Sequence, residues 1–156
     1  MNLVSAAVLA VSYVALIGAH EVADYWLQTP CQAMTKGGPG WKGRAACARH
    51  VATLTATKVA ALLAAFAVTG LPIRPLWWAL GLGIDAASHY WADRRTTLRR
   101  LAAWCGPGKA AFYDLGAPRP GHDDNMPATT GAALLDQAWH KGWLFVTVLI
   151  LAGGAL

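Results

Sequence analysis

The sequence predicts an all-α protein: a four-helix transmembrane bundle with a short basic interfacial helix after the third span. Three observations predict it. The 156 residues are 56% hydrophobic and only 13% charged, where an ordinary soluble domain has about a quarter charged. The apolar residues fall into four runs, 2–18, 45–69, 76–92 and 132–151, each near the roughly 17–25 residues that cross a hydrocarbon core. Polar residues recur beside those runs at helical spacing, so that imidazoles and carboxylates fall four residues apart on one face.

Taken in order, helix one is expected over about 2–28, with Thr29-Pro30 ending it. No basic segment precedes its apolar run, which continues through polar His20, Asp24 and Gln28, so it reads as a mature helix and not as a secretory signal. Tyr25 and Trp26 suit an interfacial aromatic belt. The glycine-rich stretch 34–43 has no strand before it, so it reads as a connector or flexible lid, not a phosphate-cradling loop.

Helix two is expected over 44–69, with His50 and Lys58 on it, and Gly70, Pro72 and Pro75 form a turn. Helix three, 76–95, opens with Trp77 and Trp78 as interface anchors and closes on Asp85, His89 and Asp93 at i, i+4 and i+8. The basic segment from Arg94 to Leu101 reads as an interfacial helix. Residues 105–130 hold four of the eight prolines and read as irregular loop, with His122, Asp123 and Asp124 solvated in it. Helix four, 131–153, carries Asp136, Gln137 and His140. The whole chain, 1–156, forms one integral membrane domain.

The net charge of +5 is unevenly placed. Lys36, Lys42, Arg44 and Arg49 follow helix one, and Arg94, Arg95, Arg99, Arg100, Lys109 and Arg119 follow helix three; only Arg74 lies between helices two and three. The positive-inside bias then puts both long connections in the cytoplasm and both termini outside the plasma membrane. The expected partners are the bilayer and anionic lipid head groups, contacted by Arg94, Arg95, Arg99 and Arg100. No nucleic-acid motif is present, and no nucleic acid is expected. Cys31, Cys47 and Cys105 are widely spaced without a C-x-x-C pair and read as apolar fillers.

On alternating spans His20, His50, His89 and His140 share one inner-leaflet layer, His20 lying roughly 10 Å from the end of helix one at 1.5 Å per residue. Asp24, Asp85, Asp93 and Asp136 fall in or near it. Imidazole with carboxylate suits zinc first, and iron or manganese next. The candidate ligands to one or two divalent ions are His20, Asp24, His50, Asp85, His89, Asp136 and His140. Gln28 and Gln137 are expected to orient them through hydrogen bonds. Asp93 is the candidate general base or an outer ligand, and Lys58 the candidate cation beside the carboxylates or a substrate phosphate. A metal-free hydrogen-bond network or proton relay across the helices is the alternative reading of the same residues.

The ordered set His20-x3-Asp24-x3-Gln28, His50, Asp85-x3-His89 and Asp136-Gln137-x2-His140 resembles a bacterial and phage family of small integral membrane proteins known as a domain of unknown function. The resemblance covers nearly the whole chain and implies a multi-helix membrane fold but no reaction. The segments 36–41 and 92–95 are similar to actinobacterial and mobile-element sequences. More distantly, the chain resembles inner-membrane proteins described as metal-dependent hydrolases. The expected function is therefore a membrane-embedded metal-dependent hydrolase acting at the inner leaflet on a lipid or lipid-linked ester or phosphoester. The alternatives are a non-catalytic scaffold, an accessory protein of a mobile element, or a metal or proton transporter.

Overall fold

A computed structural model describes residues 2–117 and 129–155. His122, Asp123, Asp124 and Arg119 lie outside the described residues. All regular structure within them is helical. The elements are α1 (Leu3–Val22), continued by a π-helical turn (Ala23–Leu27), then α2 (Pro30–Thr35), α3 (Gly40–Thr69), α4 (Pro75–Asp93), α5 (Thr96–Trp104), α6 (Pro107–Asp114) and α7 (Gly131–Gly153).

The helix ends follow local chemistry. The Asn2 side chain accepts from the Ser5 N–H at 2.7 Å and starts α1. Thr29 and Gln32 form a reciprocal capping box with Pro30 in the first turn, which makes α2 a helix where the sequence suggested only a terminator. Gly70, at φ 67°, ends α3 in the left-handed region. The basic segment expected after helix three forms α5. The stretch expected to be irregular instead contains α6, because Pro107 occupies the first turn, the one helical position that tolerates proline.

The four long helices pack in a ring, α1 against α3 and α7, and α4 against α3 and α7. Their inner faces meet in a core of Val8, Leu16, Leu62, Phe66, Leu82 and Leu144. Trp78 belongs to this core and not to an interface: it is buried, with its ring edge-on to Phe66 at 5.0 Å. Trp77, next along the helix, remains partly exposed. Cys47 is buried as a filler, whereas Cys31 and Cys105 are exposed free thiols.

Two helices, α1 with its π-helical turn and α3, are long and apolar enough to cross a membrane. The outer faces of the four long helices are largely apolar, with Val14, Leu63, Val68, Leu80, Ile84 and Phe145 exposed, and a partly exposed ion pair joins Lys141 of α7 to Glu21 of α1 at 3.1 Å. Leu62 is fully buried, so Leu62→Ala is expected to destabilise the fold by about 2–5 kcal/mol. Denaturant titration in mixed micelles would read this as a lowered midpoint, with metal binding by the folded protein unchanged.

Candidate metal centre

The polar residues gather where the core stops, at the end of the bundle that carries α2, α5 and α6. On α3 the buried stripe runs Cys47, His50, Val51, Leu54, Lys58, Leu62, and on α4 it runs Asp85, Ser88, His89, Ala92, Asp93. These spacings of three and four aim His50, His89 and Asp93 into the bundle. On α1 the π-helical turn adds a residue before the break: the Gln28 N–H bonds back to the Ala23 carbonyl at 3.0 Å, five residues away. Such single turns re-aim side chains and concentrate at functional sites. Here the turn carries Asp24 toward α3, with Oδ1 3.2 Å from His50 Nε2.

His50 Nε2, His89 Nε2 and Asp93 Oδ2 form a nearly equilateral triangle, with separations of 3.1, 3.3 and 3.4 Å. Ligands about 2.0–2.1 Å from a tetrahedral zinc lie roughly 3.3–3.4 Å from one another. The three atoms are therefore spaced as one face of such a tetrahedron, with Asp24 beside it. Two sets of donor atoms are close enough to hold an ion: Asp24, His50 and His89, and His89, Asp93 and His140. His89 is common to both. The buried His/Asp clusters can hold a metal ion.

The donor set fits a cation on a second observation. His20 Nδ1 and Nε2, His89 Nδ1, His140 Nε2 and Asp93 Oδ2 are buried without a hydrogen-bond partner. Unpartnered buried polar atoms are costly, and a metal ion coordinated by some of them offsets that cost. The rings sit closely, with His89 stacked on His140 at 3.9 Å and His20 5.3 Å from His140.

Neighbouring amides orient these groups. Gln137 Nε2 donates to Asp24 Oδ2 at 3.0 Å, and Gln28 Nε2 lies 3.1 Å from His50 Nδ1. With the Gln28 amide turned so that its oxygen accepts from Nδ1–H, the Nε2 lone pair of His50 is free for a metal. Removing such an orienting group typically weakens metal binding by about 10–100-fold. Gln137→Leu is expected to do so in a competitive chelator titration.

Not every candidate joins the centre. Asp85 lies elsewhere: its Oδ2 accepts from Lys58 Nζ at 2.6 Å, and both residues are buried. Lys58 is eight residues from His50 along α3, about 12 Å, and Asp85 is four residues from His89 along α4, about 6 Å, at 1.5 Å each. Lys58 is thus the partner of Asp85 at a deeper level and belongs to neither set of donor atoms. Asp136 is partly exposed at the rim, 3.4 Å from His140 Nε2, and His20 Nε2 is 4.0 Å from Asp24. Among the arginines, Arg94 donates to the Lys36 and Gly38 carbonyls and Arg95 to the Ala33 carbonyl, pinning the α2–α3 connection. Arg99 reaches Asp114 at 3.4 Å, and Arg100 is exposed.

One central residue carries no motif in the sequence. Lys36, in the α2–α3 connection, is buried, with Nζ 2.8 Å from Asp93 Oδ1 and 3.8 Å from Asp24 Oδ1. It bridges carboxylates of α4 and the α1 extension. The glycines around it permit the approach: a Cβ on Gly43 would lie 2.1 Å from the Gly38 carbonyl oxygen, so the connection folds onto α3 only over a bare glycine.

Comparison with protein-family models, with curated proteins and with solved structures finds no match to this chain.

Proposed function

We propose that the chain is a multi-pass membrane protein whose four long helices form a transmembrane bundle. In this reading both termini are outside and the His/Asp cluster lies in the cytoplasmic half of the bilayer. The apolar outer faces support it, since exposed apolar area of this extent suits hydrocarbon and not water. So does the charge pattern: the cluster end carries Lys42, Arg44, Arg49, Arg99, Arg100 and Lys109, and the opposite turn only Arg74. Exposed Trp26, Trp41 and Trp104 stand near the cluster end, as at a head-group layer. Membership in the bacterial and phage family that the motifs resemble is part of the same proposal.

The cluster is proposed to bind one or two divalent transition ions, zinc first and iron or manganese next, in a metal-dependent hydrolase acting on a lipid or lipid-linked ester or phosphoester. The observation that carries this is the triangle of His50, His89 and Asp93 donor atoms at tetrahedral spacing. A metal bound there would supply a water of lowered pKa and polarise the bond to be cleaved. His50, His89, His140, Asp24 and Asp93 would hold it, with His20 in reserve at the edge. Asp93, bonded by Lys36, fits a ligand better than a free base. Asp136 is the partly exposed carboxylate, placed to accept a proton from water in the adjoining cavity.

Asp136→Asn is expected to lower turnover of a generic ester or phosphoester by about 10²–10⁴-fold while metal content stays at the wild-type value. Equal turnover by the two proteins would remove Asp136 from that role, and absence of metal-dependent turnover by the wild type would remove the hydrolase. A transporter is disfavoured because apolar Leu16, Leu62, Phe66, Leu82 and Leu144 fill the bundle beyond the cluster.

A further inference from the structure

Beside the cluster a cavity of about 510 Å³ opens between the α1 extension, the start of α7, α5 and α6. Asp24, Asp93 and Asp136 line it, together with Lys36, Arg95 and Tyr113. Two cations face three carboxylates, so the wall alone carries one excess negative charge. A single divalent ion among the carboxylates turns that into one excess positive charge. The first turn of α7 also lines the cavity and presents the positive end of a 23-residue helix.

Arg95 is held in an unusual backbone conformation. Its φ of 56° and ψ of −50°, with the Thr96 N–H bonded to the Arg94 carbonyl at 2.5 Å, describe a γ-turn of the rare, strained hand. Strain of this kind persists where surrounding structure imposes it. The Arg95 side chain lies across Gly37, where any Cβ would come within 2.7 Å of Cδ. One guanidinium nitrogen bonds to the Ala33 carbonyl at 3.0 Å, leaving the other donors of the fork available. The Tyr113 hydroxyl, 3.4 Å from the Arg95 carbonyl, completes the wall, and burial raises its pKa, so it remains a hydroxyl at neutral pH.

We propose that this cavity is a receptor for a terminal phosphate group, with Lys36 and Arg95 as its binding cations and the metal centre as its third positive charge. This rests on the metal-centre reading and narrows the substrate to a phosphomonoester or phosphate-bearing head group. The same phosphate chemistry can come from a free soluble anion or from a lipid.

Full-length protein in neutral detergent, loaded with zinc and assayed for bound zinc, is titrated calorimetrically with inorganic phosphate and with short-chain phosphatidic acid. Short-chain phosphatidylcholine serves as the control. The expected result is zinc-dependent binding of phosphate, phosphatidic acid or both, and none of phosphatidylcholine. Tighter binding of phosphatidic acid assigns the lipid source, and binding of phosphate alone assigns the soluble one. Lys36→Gln and Arg95→Gly are each expected to weaken binding by about tenfold or more. Glycine accepts the positive φ at 95 while losing the charge, and zinc retained by the variant shows that the site stays folded without the bond to the Ala33 carbonyl. Wild type that holds zinc but binds neither phosphate nor phosphatidic acid overturns the receptor and leaves the metal centre standing. Unchanged affinity in Arg95→Gly, with zinc retained, also overturns it. Wild type that holds no zinc overturns both.

Discussion

Replacing Lys58 alone by methionine is expected to destabilise the chain by about 3–5 kcal/mol, the usual cost of leaving one member of a buried ion pair behind. Lys58 Nζ and Asp85 Oδ2 are 2.6 Å apart, and both side chains are almost completely excluded from the surface. With the ammonium gone, the Asp85 carboxylate is left buried with no counter-charge. Asp85→Leu alone leaves the ammonium stranded and is expected to do comparable damage. The double variant Lys58→Met/Asp85→Leu removes both charges and is expected to recover most of the loss, since apolar replacement of a whole buried pair is often neutral or better. Denaturation of the four proteins in the same micelles forms a thermodynamic cycle. Strict additivity of the two single losses would contradict the pairing. Metal content should be nearly the same in the wild type and the double variant, because neither residue belongs to a set of donor atoms.

His89→Ala is expected to abolish metal binding, where loss of any one neighbour only weakens it. His89 is the residue shared by both sets of donor atoms, and its Nε2 lies 3.1 Å from His50 Nε2 and 3.3 Å from Asp93 Oδ2. Removing it opens the triangle and deprives the second set of its central ligand. Zinc retention after desalting should fall to background in His89→Ala. His20→Ala, whose imidazole belongs to neither set, should keep a substantial fraction. The reverse order would relocate the centre toward α1.

The long helices were legible because each apolar run is longer than the four to eight residues of a strand. Three of their polar ends were legible because a spacing of four repeats in His20 and Asp24, in Asp85, His89 and Asp93, and in Asp136 and His140. What the spacing left open was depth. Asp85, His89 and Asp93 share one stripe, yet i and i+8 are separated by about 12 Å along the helix axis, whereas a metal's ligands lie within a few ångströms of each other. Asp93 therefore reaches the centre with His89, and Asp85 meets Lys58 one level deeper. Lys36 left no periodic trace, being a lone lysine beside glycines in a connection. Only the folding of α2 and the grip of Arg94 on the Lys36 and Gly38 carbonyls bring it to Asp93. Helices α2 and α6 were hidden by their prolines, which mark first turns here and not breaks.

Imidazole and carboxylate groups from α3, α4, α7 and the α1 extension converge closely enough to hold a cation. Zinc-edge X-ray absorption of the purified, zinc-equilibrated protein, with elemental analysis of the same sample, tests this most directly. At least one zinc per chain is expected, surrounded only by nitrogen and oxygen at about 2.0–2.2 Å, with the multiple-scattering signature of more than one imidazole. Sub-stoichiometric zinc, or a sulfur shell at about 2.3 Å from the exposed cysteines, would contradict it.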